Sequence, residues 1–445
     1  MGVDFAMPTS FRPYAPDQSL LLPPSPRDWL PEGHLAFFIS ETVDALDLGV
    51  FYALYEGDGR RNQPFDPAMM VKVLLYAYAT GTFSSRKIAR KLEEDVAYRV
   101  LAAGNFPAHR TICEFRQQHL KAFGELFVQV VRIAREAGVV RLGTLVVDGS
   151  KVKANASKRK AMSYGRMLEE EGRLQNQIAE LTARAAAVDA AEDTACGPEV
   201  RGDELPAELQ RREQRLRKIQ EAKARLEARQ AEEDREKGRS EDDDRKSPRG
   251  GRRFARDFGV PPDKAQDNFT DPESRIMTTT QGFEQCYNGQ IAVDESSQLI
   301  VATSLTNNAA DNNELIPLLD QAQSNLGCPP QQVLADAGYR AEATFQTLEG
   351  RGIDAYISLA REGSEKTPVS AALEATRRMA QKLASESGKQ RYRRRKAVVE
   401  PVVGWIKSVL GFRHFSFRGQ EKAKREWTLL CLAVNLKRYH VLQPA

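Results

Sequence analysis

At 445 residues the chain is too long for one ordinary core, so two or three folding units are expected. Its 41% hydrophobic, 28% charged and 8% aromatic content describes a globular protein with a charge-rich segment attached, and a net charge of +4 is too small to indicate a polyanionic partner on its own. Five scattered cysteines without a CxxC pair, apolar runs too short for a membrane span (71–79 is among the longest) and an N-terminus unlike a signal peptide argue against zinc modules, disulfide scaffolds and membrane proteins, and predict a soluble cytoplasmic protein.

Residues 1–33 are Pro-rich and predict an arm without regular structure. From 34 to 140 apolar residues recur at three and four, with breaks at 57–59, Gly81 and 104–107, as in an all-α domain. Ser84 or Ser85 is placed to cap a short helix carrying Arg86, Lys87 and Arg90, and a longer helix is expected from Ala108. That order suits a helix-turn-helix, but a plain bundle with a solvated basic face accounts for it equally well.

Beyond 141 the pattern changes to α/β. Leu145, Val146 and Val147 form a buried-strand run that is expected to end at Asp148 and Gly149. Further strands are predicted at 286–293 and 299–305 as a hairpin, at 332–335 and at 353–357. Helices are predicted at 311–326, with Asp311 and Glu314 as a capping box, and at 341–350. This gives a mixed sheet flanked by helices, formed from 141–160 and 263–445. Between the first two strands, residues 161–262 are foreign to it. Leu174, Ile178, Leu181, Ala185 and Val188, then Leu209, Leu216, Ile219 and Leu226, follow coiled-coil spacing and predict an inserted antiparallel helical hairpin. Residues 236–262 are charged, Gly-rich and aperiodic, as a mobile connector would be.

Asp148 and Asp336 each close an apolar strand run and are followed within two residues by Gly. A single such Asp is usually a turn former, whereas two on neighbouring parallel strands would meet at one sheet edge, where α/β folds place their sites. Glu400 follows the basic run Arg393, Arg394, Arg395 and Lys396 on a predicted helix, with Pro401 expected to start or kink it and Lys407 two turns further on. Three converging carboxylates suit two Mg²⁺ (or Mn²⁺) ions, and the adjoining cations suit phosphates. Asn288, Gln290, Tyr339 and Trp405 are candidates to line such a site. Trp405 is as readily a core residue, and Asp294 and Asp311 are ranked below the triad because turn and cap roles account for them.

These segments resemble a known family. TLVVDGSKVKANAS from Thr144, NFTDPESRIM from Asn268, YNGQIAVD from Tyr287, VLADAGY from Val333 and VVEPVVGWIK from Val398 are similar to the DDE transposases of bacterial insertion sequences. The resemblance implies an RNase H-like core, Asp148, Asp336 and Glu400 as triad and metal ligands, and Lys407 as the family's lysine seven after its glutamate. One departure is that Lys396 and Arg393 stand where the family's signature has Arg and Tyr, with Tyr392 one residue further out. The implied activity is metal-dependent phosphodiester hydrolysis and strand transfer at terminal inverted repeats. The implied partner is double-stranded DNA, bound by Lys407, Arg393, Arg394, Arg395, Lys396, Arg86, Lys87 and Arg90, with a dimer or higher oligomer forming on nucleoid-associated DNA. A nuclease or resolvase without strand transfer, and an inactive DNA-binding relative, are the alternatives.

Overall fold

The computed structural model describes residues 25–55, 63–141, 143–196, 207–241, 256–360 and 373–443. Most of the expected N-terminal arm lies outside the described residues. Its last part is ordered by a short 3₁₀ turn, Pro26–Trp29, where the Ser25 side chain accepts from the Arg27 amide and the Asp28 carboxylate accepts from the Ser25 amide.

A helical region follows: α1 (Leu35–Asp44), α2 (Gly49–Tyr52), α3 (Pro67–Ala79), α4 (Ser85–Glu94), α5 (Val96–Leu101), α6 (His109–His119) and α7 (Ala122–Glu136). Asp66 caps α3 by accepting from the Met69 amide, and Pro67 takes the first-turn position where its missing N–H costs nothing. Nearly every α3 side chain is buried, so this apolar helix is the centre of its region. On α4, Ser85, Ile88 and Leu92 face inward while Arg86, Lys87 and Arg90 are exposed. Ser84 occupies the cap position without making a side-chain cap bond, and Ser85 turns toward Arg116 instead. Helix α5, capped by Asp95, was not foreseen and intervenes between the basic helix and α6.

The α/β part comprises β1 (Thr144–Lys153), β2 (Ala161–Ser163), α8 (Tyr164–Cys196), α9 (Ala207–Glu236), β3 (Gln266–Asn268), β4 (Arg275–Thr279), β5 (Gly282–Asp294), β6 (Ile300–Thr306), α10 (Leu315–Leu326), β7 (Gln332–Ala335), α11 (Glu342–Gly350), β8 (Asp354–Ile357), α12 (Glu374–Ala384), α13 (Glu386–Gly404) and α14 (Gln420–Leu442). The main sheet runs β4-β5-β1-β7-β8, with β6 also on β5. Strands β1, β7 and β8 are parallel, and β5 is antiparallel to β1. Strands β4 and β6 pair with successive stretches of the far edge of β5. Central parallel strands with an antiparallel meander on one flank make this an RNase H-like core.

Strand β1 does not stop at Asp148. It continues to Lys153 because β5 pairs with it from Leu145↔Asp294 to Lys153↔Cys286, while β7 pairs with it only over residues 144–146. Asp148 therefore sits just past the point where β7 leaves its neighbour, and a continuing antiparallel ladder fixes its direction.

The helical region and the sheet share one hydrophobic core. Helix α14 packs on β6 and also on α3 and α7. A buried polar chain crosses the same junction. Arg116 Nη1 donates to Tyr78 Oη (3.0 Å), Tyr78 Oη donates to Glu426 Oε1 (3.0 Å), and the Ser416 amide donates to Glu426 Oε2 (2.7 Å). Gly81, at φ +77°, lies so close that a Cβ there would stand 2.7 Å from the Leu410 carbonyl oxygen.

Helices α8 and α9 pack together around a separate small cluster, Tyr164, Met167, Leu174, Ile219, Ala222 and Leu226, above the β2–β3 ribbon. Lys223 pairs with Glu171 at 2.9 Å, and Arg225 and Arg229 both hold the buried Asp267. The expected connector over 236–262 is corrected at one end. Residues 256–262 fold back onto α9, with the Gly259 amide on Asp234 (3.1 Å) and Arg235 over the Phe258 ring. Residues 242–255 lie outside the described residues.

Candidate active site

Asp148 projects from β1 where its parallel neighbour ends. Asp336 follows the last residue of β7 and starts a 3₁₀ turn, Ala337–Tyr339, its Oδ1 accepting from the Gly338 amide at 2.8 Å. The two carboxylates influence each other. Burial pushes the Asp148 pKa up, Arg395 pulls it back and Asp336 raises it further, leaving it at about 6.

Glu400 reaches this edge from α13. Pro401 neither starts nor ends that helix, which runs on to Gly404 and then widens into a π-helical turn, Trp405–Val409. Pro401 cannot bond the Ala397 carbonyl, and Gln298 Nε2 donates to that oxygen instead (3.2 Å), so the carbonyl is not left unpaired. The π turn carries Lys407 inward. Burial lowers its pKa, and the nearby Asp148 carboxylate partly offsets that.

Between Asp148 and Glu400 lies Arg395. Its guanidinium stands 3.8 Å from Asp148 Oδ1 and 4.0 Å from Glu400 Oε1, and its Nε and Nη1 have no hydrogen-bond partner despite burial. These two contacts limit the separation of the carboxylates to roughly 10 Å, because one planar guanidinium fork spans the rest. Glu400 is the exposed member, at 55% against 19% for Asp148.

The basic run expected to clasp phosphates divides into distinct roles. Arg395 faces the acids and Tyr392, not the solvent. Arg391 and Arg394 both pair with Glu295 at the β5–β6 turn, and Arg391 also bonds Gln332 and Thr144. Arg393 and Lys396 are exposed on the same helix. Trp405 is half-buried against the core with Lys437 over its ring.

The floor of the site contains an acid that the sequence argument set aside. Asp311 caps no helix. Helix α10 begins at Leu315, and its cap position, Glu314, makes no side-chain cap bond. The Asp311 carboxylate instead accepts from Asn288 Nδ2 (2.7 Å) and Gln290 Nε2 (2.6 Å), while Tyr339 donates to Gln290 Oε1. Asn288, Gln290 and Tyr339 are thus brought to the acidic edge. The signal for Asp311 was its place one strand-turn after Asn288 and Gln290, but a capping-box spacing explained it first.

An all-oxygen donor set on a half-buried sheet edge suits a hard divalent cation. Among the described residues, however, no three His, Cys, Asp or Glu side chains already stand close enough to hold one together. The unpartnered guanidinium nitrogens of Arg395 supply positive charge beside the acids in that arrangement.

Two family comparisons bear on this geometry. Residues 257–436 match the Transposase DDE domain, and residues 24–118 match Transposase domain (DUF772). Together they cover more than half of the chain. The chain belongs to the DDE-type transposases of the insertion-sequence kind. Enzymes of this type act on DNA and use divalent metal ions. Asp336 and Glu400 lie inside the DDE match, whereas Asp148, separated in sequence from the later strands by the α8–α9 arm, lies outside both. No curated protein and no solved structure matches the chain. Among the described residues no helix is long and apolar enough to cross a membrane.

Proposed function

We propose that this transposase binds the terminal inverted repeats of its element, cuts the DNA there and joins the ends to a target, with Asp148, Asp336 and Glu400 as the catalytic acids. The observation that carries this reading is the meeting of Asp148 and Asp336 where β1 and β7 part, with Glu400 linked to Asp148 through Arg395. Those three carboxylates would hold two Mg²⁺ or Mn²⁺ ions, which would supply charge for activating a water or 3′-hydroxyl and stabilising the leaving oxygen. Asp148 must be ionised to do this, and Arg395 and Lys407 favour its anion against the burial that opposes it. Lys407 and the exposed Arg393 and Lys396, on α13 and the turn that follows it, would hold the phosphates flanking the cut. The exposed face of α4, with Arg86, Lys87 and Arg90, would contact end DNA, and the α8–α9 arm would serve a dimer or higher oligomer assembled on two ends.

The test uses a supercoiled plasmid carrying the DNA that flanks the gene, with Mg²⁺ and a second plasmid as target. The wild-type protein should cut and join. Asp336→Asn and Glu400→Gln should bind the ends as tightly in a mobility-shift assay yet cut at least about 10³-fold more slowly, a loss of about 4 kcal/mol of transition-state stabilisation. Cleavage near the wild-type rate in either variant would refute the triad, and cutting without joining would replace strand transfer by a nuclease activity.

A further inference from the structure

The half-buried Asp311 carboxylate sits against two glycines where a larger residue would clash. A Cβ at Gly149 would stand 2.7 Å from Asp311 Oδ1 and 2.6 Å from Gln290 Nε2, and a Cβ at Gly338 would stand 2.8 Å from Asp311 Oδ2. Neither glycine has a positive φ. The glycine after Asp148 and the one two past Asp336 are therefore needed for space rather than for a turn: Gln290 and Asp311 fill the space beside Gly149, and Asp311 and Asp336 fill that beside Gly338.

The same carboxylate gathers donors from β5. Asn288, 1% exposed, and Gln290, fully buried, both donate to Oδ1, and Gln290 is then held by the buried Tyr339 at the end of the Asp336 turn. On the other side the Gln290 carbonyl accepts from Trp427 Nε1 (3.1 Å), whose ring lies against Gly289. A continuous chain thus runs from Asp311 through Gln290 to Tyr339, joining the antiparallel strand β5 to the turn after the parallel strand β7.

We propose that Asp311 is a positioning residue for this site. Its carboxylate wedges between Gly149 and Gly338 and, through Gln290 and Tyr339, sets the spacing and direction of Asp148 and Asp336. Oδ1 accepts from two amide donors and Oδ2 lies against Gly338, so Asp311 acts on the acids through the network, and the Mg²⁺ titration below separates this from a role as a fourth ligand. This inference rests on the triad proposed above.

The test compares Asp311→Ala, Asp311→Asn, Tyr339→Phe and the Asp311→Ala/Tyr339→Phe double variant in the full-length protein, with Asp336→Asn measured alongside. Single-turnover cleavage is followed across a Mg²⁺ titration. Asp311→Asn, whose amide oxygen can still accept from Asn288 and Gln290, should cut within about fivefold of wild type with an unchanged Mg²⁺ midpoint, and Asp311→Ala should be slowed about 30-fold at saturating Mg²⁺. The double variant should be no slower than Asp311→Ala, because both changes break one chain. A size exchange gives a readout independent of activity: Gly338→Ala should lower the metal-free unfolding temperature, and Asp311→Ala in the same molecule should recover most of that loss. A raised Mg²⁺ midpoint in Asp311→Asn with a normal saturated rate would make Asp311 a metal ligand and overturn the proposal, as would strictly additive effects in both pairs. If Asp336→Asn itself cuts normally, the triad fails, and that outcome is separate from a failure confined to Asp311.

Discussion

Replacing Asp148 by Asn should abolish cleavage and at the same time stabilise the metal-free protein. Asp148 has its pKa raised from an ordinary 3.8 to about 6, first by burial and then, against the pull of Arg395, by the adjacent Asp336. Because the folded-state pKa lies above the unfolded one, the native state holds the proton more tightly, and that contribution is lost as pH rises from about 4 through about 6. At pH 8 the ionised carboxylate costs about 3 kcal/mol, two pKa units and a little more at ~1.36 kcal/mol each. At pH 5 the cost is about half that, and at pH 4 it falls to about 0.5 kcal/mol. Asn carries no charge at any of these pH values, so the variant should be more stable than wild type by those amounts. Urea unfolding in EDTA at the three pH values measures the difference directly. Adding millimolar Mg²⁺ at pH 8 should then stabilise wild type more than the variant, because binding to the native state alone adds stability. A variant no more stable than wild type at pH 8, or a gap that does not narrow on acidification, would refute the claim that Asp148 is held ionised against its surroundings.

Further outcomes follow from named contacts. Arg391→Ala should cost about 1–3 kcal/mol in urea unfolding because Glu295, Gln332 and Thr144 lose a shared donor. Arg393→Ala should leave stability alone and reduce the slope of log K against log salt for DNA binding by about one. Gly81→Ala should lower the unfolding temperature through a clash with the Leu410 carbonyl costing about 1–3 kcal/mol, and should also slow cleavage, since Leu410 ends the turn bearing Lys407. Joining Ser163 to Gln266, partners in the β2–β3 register, by Asn-Gly in place of 164–265 should leave a cooperative unfolding transition within a few degrees of wild type, because the arm has its own apolar cluster. Loss of that transition would show the arm to be part of the core.

The helical start, the alternation of later strands and helices and the inserted arm were legible because each depends on hydrophobic period, which sequence displays directly. Asp148 and Asp336 were also legible as strand-associated acids, but the end of β1 was misplaced. A lone Asp-Gly suggests a turn, and only pairing with β5 over nine residues keeps the strand going to Lys153. Arg395 and Asp311 were harder. Arg395 lies in a run of cations where one guanidinium cannot be told from its neighbours until the helix is docked on β1. Asp311 sits three residues before Glu314, a spacing with a sufficient local explanation, and its true partners are more than twenty residues away on β5. Local rules succeed where one element decides a residue's role and fail where three elements meet.

Helix α14 has a kinetic consequence. Its buried face touches β6 on one side and α3 and α7 on the other, so helices formed from the first 136 residues cannot cover their apolar surface until residues 420–442 exist. Contacts separated by about 300 residues are slow to form, and the chain passes through a long interval with an open groove along α3 and α7. Any message or chain cut short before residue 420 would leave that groove bare, so truncated copies of this transposase should aggregate or be degraded and should not accumulate as DNA-binding fragments that compete with the intact enzyme for element ends.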